Sequence, residues 1–159
     1  MKNIFFIVVF LATVFVQKGF SQNTLKQYQL SKLLTQYYNI KDALVADNGN
    51  KAASEAEEYV KTINGIEFQT ISEGNANALL KDAGAISETK DIKKQREYFS
   101  NFSSNMFTLS KSVKLSTDPI YKAYCPMKKA YWLTSDKAIK NPYFGSAMLT
   151  CGKITETLQ

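Results

Sequence analysis

The sequence contains no histidine among its 159 residues. Histidine is the commonest general base and the commonest metal ligand, so its absence removes the usual centre of a hydrolase site or a zinc site. Other groups do not fill the gap, because the few glycines form no phosphate-binding loop and no serine or carboxylate has a recognisable catalytic partner. The sequence therefore predicts a protein that is not an enzyme.

Long apolar runs are also scarce, with one exception at the N-terminus. A short basic start at residues 1–3 precedes an apolar run at residues 4–16, and Gly19-Phe20-Ser21 then offers small residues for cleavage before Gln22. This layout predicts a secretory signal peptide at residues 1–21. The run is short for a bilayer span and no second run follows, so we expect a periplasmic or secreted protein without a membrane span after signal cleavage.

Charge of one sign is not in large excess. The chain from residue 22 onward contains 18 basic and 14 acidic residues, a net charge of +4, and the basic residues are scattered. Proteins that bind nucleic acids present a basic face instead. We therefore expect no nucleic-acid partner.

Helical periodicity dominates residues 22–114. The strongest pattern places seven residues at alternating spacings of three and four, as in a helix-bundle seam: Ile92, Gln95, Phe99, Phe102, Met106, Leu109 and Val113. Residues 22–159 fit one domain. We predict an all-α fold, an up-and-down bundle of three to four helices at 22–114, closed by an irregular tail at 115–159. Within that tail, residues 120–125 and 130–134 are expected to pair as a small hairpin.

Cysteine is rare, and both cysteines lie in the tail with two of the four methionines. Cys125 and Met127 flank Pro126, while Met148 and Cys151 are three residues apart and would share a helical face. Thiolates and thioethers are soft ligands that suit Cu(I) and disfavour hard ions. Trp132 is close in sequence and is a candidate cation–π neighbour of a bound ion.

The tail also carries a combination of uncommon residues in fixed order. Its pieces are Tyr124-Cys125-Pro126-Met127, Tyr131-Trp132-Leu133, residues 139–145 (IKNPYFG) and residues 148–152 (MLTCG). Upstream, residues 42–47 (DALVAD), Asp91-Ile92, Gln95-Arg96 and Phe99 belong to the same pattern. Together these segments resemble a bacterial family, domain of unknown function 3347, over most of the chain after the leader.

The resemblance implies a function without establishing one. Such domains occur alone after a signal peptide or joined to periplasmic adaptor subunits of heavy-metal efflux pumps, and the family is suspected of binding copper or heavy metals without catalysis. Position by position, its sulfur residues correspond to Cys125, Met127, Met148 and Cys151. One departure is the loop before Trp132, residues 128–131, which is shorter here than in many members.

Three hypotheses follow for the cysteines: a Cys125–Cys151 disulfide, a Cu(I) site that uses the four sulfurs, or two free thiols with unrelated roles. The leading functional hypothesis is a periplasmic accessory protein that binds Cu(I) and serves an envelope efflux or copper-handling partner. The alternative is a disulfide-stapled structural or protein-interaction module of the cell envelope without metal.

Overall fold

The structure is a computed structural model that describes residues 23–67 and 69–158, together with the helical backbone of the first helix from Lys2. The predicted signal peptide, residues 1–21, lies outside the residues whose side chains are described. The elements in chain order are α1 (Lys2–Val45), α2 (Gly49–Asn64), α3 (Glu73–Ser87), α4 (Ile92–Ser112), β1 (Ile120–Cys125), β2 (Ala130–Thr134), a short 3₁₀ helix (Gly145–Met148) and β3 (Lys153–Leu158).

Side-chain caps mark where three of the helices begin. Asn48 accepts a hydrogen bond from the Lys51 backbone N–H (2.9 Å), which caps α2. Ser72 does the same for α3, and Asp91 accepts from the first backbone N–H groups of α4. Each cap pairs a donor that a helix start otherwise leaves without an intrahelical partner. The bundle contains four helices, which confirms the prediction of three to four.

Aromatic rings from α1, α2 and α4 form the centre of the bundle. Tyr37 stacks on Phe99 with 5.4 Å between ring centroids, and Tyr59 meets Phe102 edge to face at 4.8 Å. The Tyr59 hydroxyl donates to the sulfur of Met106 at 3.1 Å. All five side chains are fully buried. The stripe of aromatic residues and methionine on α4 is therefore core, as its spacing indicates.

The C-terminal region forms an antiparallel sheet with strand order β2-β1-β3. The predicted hairpin is confirmed, because β1 pairs with β2 and Cys125 stands opposite Ala130. The prediction of an otherwise irregular tail in an all-α fold is wrong, because β3 adds a third strand against β1. Along β3 exposed residues alternate with half-buried ones, so one face packs on the core while the other meets solvent. The fold is mostly helical with this small sheet.

Tyrosine hydroxyls attach the sheet to the helices. The Tyr37 hydroxyl accepts the backbone N–H of Leu133 (2.9 Å) and also hydrogen-bonds Ser103 on α4 (2.7 Å). The Tyr143 hydroxyl donates to the backbone carbonyl of Tyr131. The Tyr37 bonds seat β2 on α1 and α4, and the Tyr143 bond ties β2 to the loop before the 3₁₀ helix.

Candidate metal centre

Cys125 is the last residue of β1 and is fully buried. The hairpin turns directly after it, and Lys129, with φ of 56°, supplies the left-handed residue of the turn. That turn aims the Lys128 backbone N–H at the Cys125 sulfur (3.4 Å). The side-chain amide of Asn141 donates to the same sulfur at 3.2 Å. Two N–H donors therefore converge on one buried sulfur.

Cys151 reaches the same place from the other side of the tail. It follows the 3₁₀ helix, and its backbone N–H donates to the carbonyl of Met148 (3.1 Å). Its own carbonyl accepts a hydrogen bond from the side-chain amide of Asn141 at 2.7 Å. The residue is half-buried, so one side of it meets solvent.

The two thiols meet although 25 residues separate them in the chain. The Cys151 thiol interacts with the Cys125 thiol and with the Met127 backbone N–H. Burial and the neighbouring Cys125 sulfur raise the pKa of the Cys151 thiol, while the Met127 N–H opposes that shift. Both cysteines are free thiols in this structure. The arrangement brings together the two strongest sulfur ligands that the sequence offers.

The other three predicted site residues are placed differently. Met127 is 65% exposed, so its thioether lies largely in solvent while its backbone N–H contacts Cys151. Met148 is half-buried and ends the 3₁₀ helix three residues before Cys151. Trp132 is buried, and its ring lies against the Cα of Gly152, where an added Cβ would come within 2.7 Å of it. Its role as a cation–π neighbour stays a prediction.

Asn141 organises this site, although the sequence singles it out only as a member of the segment 139–145 that resembles the family. It is fully buried, and its side-chain amide bridges the Cys125 sulfur and the Cys151 carbonyl. Its side-chain oxygen accepts from the Tyr143 N–H (2.8 Å), and its backbone N–H donates to the Leu149 carbonyl (2.8 Å). A lone Asn before a proline reads as a turn signal, so only the three-dimensional contacts identify it.

Arg96 of α4 clamps the loop that contains Asn141 to the helices. Its Nε donates to the Pro142 carbonyl (2.9 Å), and its Nη2 donates to the Leu44 carbonyl (2.8 Å) at the end of α1. The same Nη2 forms an ion pair with Asp47 at 2.6 Å. The Arg96 side chain is only 13% exposed, so these charge-assisted bonds are partly shielded from water.

The comparisons with known proteins bear on this arrangement. Residues 33–118 match the family described as "Protein of unknown function (DUF3347)", which covers more than half of the chain. The chain belongs to this family. No curated protein and no solved structure matches it.

The part of the chain that matches the DUF3347 family runs from α1 to the end of the loop after α4. It includes Asp47 and Arg96, the two charged residues of the clamp, and it stops at Asp118. Both cysteines and Asn141 lie beyond it. The family description names no ligand and no activity, so the chemistry of the thiol pair is argued from its own geometry.

Metal-ligating groups other than the two thiols are sparse around the site. Within residues 23–67 and 69–158, no cluster of three or more His, Cys, Asp or Glu side chains could hold a metal ion. Tetrahedral zinc sites are usually built from four such ligands. Across the same described residues, no helix has an apolar stretch long enough to cross a membrane.

Asp47 ties the clamp to the start of the 3₁₀ helix, and its titration gives a testable pH dependence. Hydrogen bonds from the Ser146 hydroxyl (2.6 Å) and backbone N–H (3.0 Å), followed by the bond from Arg96, lower the pKa of Asp47 from 3.8 to about 2. Because the folded-state pKa is depressed, its contribution to stability is present above pH 4 and is lost as pH falls through the interval from about 4 to 2.

We expect Asp47→Asn to weaken the pH dependence of the unfolding free energy in that interval, because the variant has no carboxylate to protonate there. Urea unfolding at pH 2.5, 3.5 and 6 measures the effect. Asp136→Asn is the matched control, because Asp136 is exposed and its carboxylate accepts only the nearby Ala138 N–H. An unchanged pH profile in Asp47→Asn would contradict the clamp.

Gly145 allows the loop to pass close to the clamp. Its φ is +53°, and an added Cβ would collide with the Arg96 guanidinium and the Asp47 carboxylate. We expect Gly145→Ala to lower the free energy of unfolding by about 2 kcal/mol, from left-handed backbone strain plus displacement of the ion pair. Thermal unfolding tests this, with Gly74→Ala as the control because no atom lies within 4 Å of an added Cβ there. Equal melting temperatures for the two variants would contradict the proposed close packing.

Proposed function

We propose that this is an exported, periplasmic accessory protein that holds one Cu(I) ion between the thiolates of Cys125 and Cys151 and takes part in heavy-metal efflux or homeostasis. The observation that carries the proposal is the meeting of two free thiols with backbone and side-chain N–H donors aimed at their sulfurs. The export step rests on the N-terminal apolar run, and the efflux link rests on the resemblance described above.

The N–H donors favour a thiolate site over a simple disulfide. Lys128 and Asn141 donate to the Cys125 sulfur. At Cys151 burial and the Cys125 sulfur raise the pKa of the thiol, and the Met127 backbone N–H opposes that shift. Hydrogen bonds to the charged form of a group stabilise that form, and outer-shell donors of this kind orient and tune metal-bound ligands. A disulfide sulfur carries no charge and gains much less from the two donors at Cys125.

The ligand set favours a soft, monovalent ion. Two thiolates neutralise Cu(I) and leave one negative charge, which the N–H donors offset. Soft sulfur ligands select Cu(I) over Mg²⁺ or Ca²⁺, which prefer oxygen. The exposed Met127 side chain is free to turn toward the pair, and Met148 lies one turn before Cys151, so each offers a supplementary thioether.

A titration of the reduced protein tests this function. Cu(I) is added anaerobically in competition with bicinchoninate, and Zn²⁺ is titrated separately against a zinc indicator. We expect one tight equivalent of Cu(I) and weak Zn²⁺ binding, because a four-ligand zinc shell is not formed by the described residues. Zn²⁺ binding as tight as Cu(I) binding, or no Cu(I) binding, would overturn the proposal.

The disulfide-stapled envelope module is the second candidate, and the contact between the two thiols favours it as well. In an oxidising compartment such a pair can form a disulfide that closes a loop of about 25 residues, worth about 3 kcal/mol in the chain-entropy model. A thiol count on protein purified from the periplasm separates the two functions. Two free thiols with bound copper support the metal site, whereas no free thiols and no copper support the staple.

The bridging Asn141 provides a sharper test of the metal site. Asn141→Asp keeps an oxygen for the Tyr143 N–H but replaces both N–H donors with a carboxylate beside the Cys125 sulfur. We expect Cu(I) affinity to fall by about 10- to 100-fold, the usual cost of losing an outer-shell partner. Competition titration at pH 7 measures it. Asn105→Asp is the control, because Asn105 donates to Asp82 and not to a cysteine. This variant should bind Cu(I) normally. Wild-type affinity in a folded Asn141→Asp protein would contradict the assigned role.

A further inference from the structure

Positive charge is concentrated in the part of the chain that builds the thiol site. Residues 119–159 contain six lysines and two acidic residues, Asp136 and Glu156, whereas residues 22–118 contain 12 basic and 12 acidic residues. The helical bundle is therefore nearly neutral, and the net positive charge of the protein lies in the sheet and loop region. An uneven distribution of this kind produces a local potential that attracts anions.

Four of these lysines lie beside groups that touch the thiols. Lys128 gives its backbone N–H to Cys125, and Lys129 follows it in the hairpin turn. Lys140 precedes the bridging Asn141, and Lys153 follows Cys151 by two residues and pairs with Tyr124. Lys129, Lys140 and Lys153 are exposed and Lys128 is half-buried. We call these four residues the lysine cluster.

Exposed apolar side chains accompany the lysine cluster. Met127 is 65% exposed, and its backbone N–H contacts the Cys151 thiol. Leu149 is 40% exposed, and its carbonyl accepts the backbone N–H of Asn141. Cys151 lies two residues after Leu149 and is half-buried, whereas Cys125 is fully buried, so Cys151 is the more accessible of the two thiols. An apolar centre with a charged rim is the usual composition of a protein-binding patch.

We propose that the lysine cluster, together with Met127 and Leu149, is a docking surface for a copper-exchanging protein whose own metal site lies on an acidic face. This inference rests on the proposed function. The occupant follows from charge complementarity, because lysines attract carboxylates and also attract a Cu(I)–dithiolate centre, which is itself anionic. In the docked complex the Cys151 thiol replaces one thiolate ligand of the incoming Cu(I), and its proton passes to the departing thiolate. Cys125 replaces the second ligand in the same way, so the donor leaves as a dithiol and copper stays Cu(I) throughout.

An anionic membrane is the competing occupant, since the same lysines attract acidic lipid headgroups. A protein fits the observations better, because the lysines belong to the segments that hold the thiols: Lys128 donates its backbone N–H to Cys125, and Lys140 precedes the Asn141 side chain that bridges the two cysteines. Ligand exchange requires a partner that presents copper ligands, which a lipid surface does not.

A charge-reversed copy of the protein serves as the acidic partner in the test. Lys129→Glu/Lys153→Glu reverses one charge in the hairpin turn after Cys125 and one two residues after Cys151, and Lys32→Glu/Lys51→Glu makes the same charge change at exposed positions of α1 and α2. Each variant is first loaded with Cu(I) to establish that it binds one equivalent. Copper-loaded wild type is then mixed with each ¹⁵N-labelled apo acceptor, and transfer is followed by native mass spectrometry.

We expect transfer from wild type to Lys129→Glu/Lys153→Glu to be at least about 10-fold faster than transfer to apo wild type, and to slow with added salt. Transfer to Lys32→Glu/Lys51→Glu should show a clearly smaller acceleration. Equal rates for all acceptors would mean that copper moves by free dissociation, and would overturn the docking surface while leaving the metal site intact. Failure of every protein to load Cu(I) would instead overturn the proposed function and the docking surface together.

Vesicles of phosphatidylglycerol and phosphatidylethanolamine supply the membrane arm. If wild type sediments with them, Lys129→Glu/Lys153→Glu does not, and protein-to-protein transfer rates are equal, the surface binds lipid and the protein-docking proposal is wrong. No sedimentation, together with accelerated transfer to the acidic acceptor, supports docking to a protein.

Discussion

Serine at both cysteine positions is expected to abolish tight Cu(I) binding. Cys125→Ser/Cys151→Ser removes both thiolates, and a hydroxyl at neutral pH is a hard, neutral group that does not replace a soft anion. We expect the affinity to fall by about a thousandfold or more, because losing ligands must cost more than the 10- to 100-fold typical of an outer-shell partner. Competition against bicinchoninate under anaerobic conditions measures the change.

Single cysteine variants and methionine variants show which of the four sulfur side chains bind copper. Cys125→Ser and Cys151→Ser should each lose most of the affinity, because the two thiolates act as one chelate. Met127→Leu and Met148→Leu should cost much less, since neither thioether is a required ligand in the proposed site. Circular dichroism of the reduced apo proteins verifies that all variants fold. Wild-type Cu(I) affinity in the folded double serine variant would mean that copper binds elsewhere in the chain, and would contradict the assignment of Cys125 and Cys151 as ligands.

Loss of the clamp is expected to give the second large effect, this time on stability. Arg96→Ala leaves Asp47, the Pro142 carbonyl and the Leu44 carbonyl without their shared donor. Removing the shared donor of a partly shielded, charge-assisted network of three acceptors typically costs about 2 to 3 kcal/mol. We expect the free energy of unfolding in urea to fall by about that amount. The metal-free, reduced protein is the right sample, because bound copper would add its own stabilisation.

Two further variants distinguish the clamp from a general effect of charge on α4. Lys94→Ala removes an exposed cation two residues away and should change stability by no more than about 0.5 kcal/mol. Arg96→Lys keeps the charge but loses the fork that reaches two carbonyls and a carboxylate, so it should lie between alanine and wild type. Hydrogen exchange should become faster in residues 141–151 of Arg96→Ala. A loss of stability equal to that of Lys94→Ala would contradict the clamp.

The clamp also relates the family match to the thiol site. The segment that matches the DUF3347 family ends before β1, so it contains neither thiol, but it contains Asp47 and Arg96. Arg96 contacts Pro142, which directly follows Asn141, and Asp47 contacts Ser146 at the start of the 3₁₀ helix. The conformation of the site therefore depends on helices that come earlier in the chain, and damage to the clamp should lower Cu(I) affinity without touching a ligand.

The helices were predictable because their information is local. The spacing of apolar residues on α4 alone indicates which face is buried, and Phe99, Phe102, Met106 and Leu109 are all fully buried. The hairpin was predictable for the same reason, since two apolar strands flank a short polar turn. The strand β3 was missed because four of its six residues are polar, and its register depends on a partner 29 to 38 residues earlier.

The site was predictable only in part. The two cysteines were predicted as ligands because thiolates bind soft metals. Their separation in the sequence does not reveal that the fold brings the two thiols into contact. Asn141 and Arg96 gave no local signal for their roles, because each acts through backbone carbonyls and side chains at least ten residues away. Such contacts have no period in the sequence and appear only once the chain is folded.

Copper K-edge X-ray absorption of the protein loaded with one equivalent of Cu(I) tests the central claim most directly. The account predicts a first coordination shell made of sulfur alone, two thiolates with at most one thioether, and no signal above background in Cys125→Ser/Cys151→Ser treated the same way. Nitrogen or oxygen in the first shell of the wild-type site, or the same spectrum from the double variant, would contradict it.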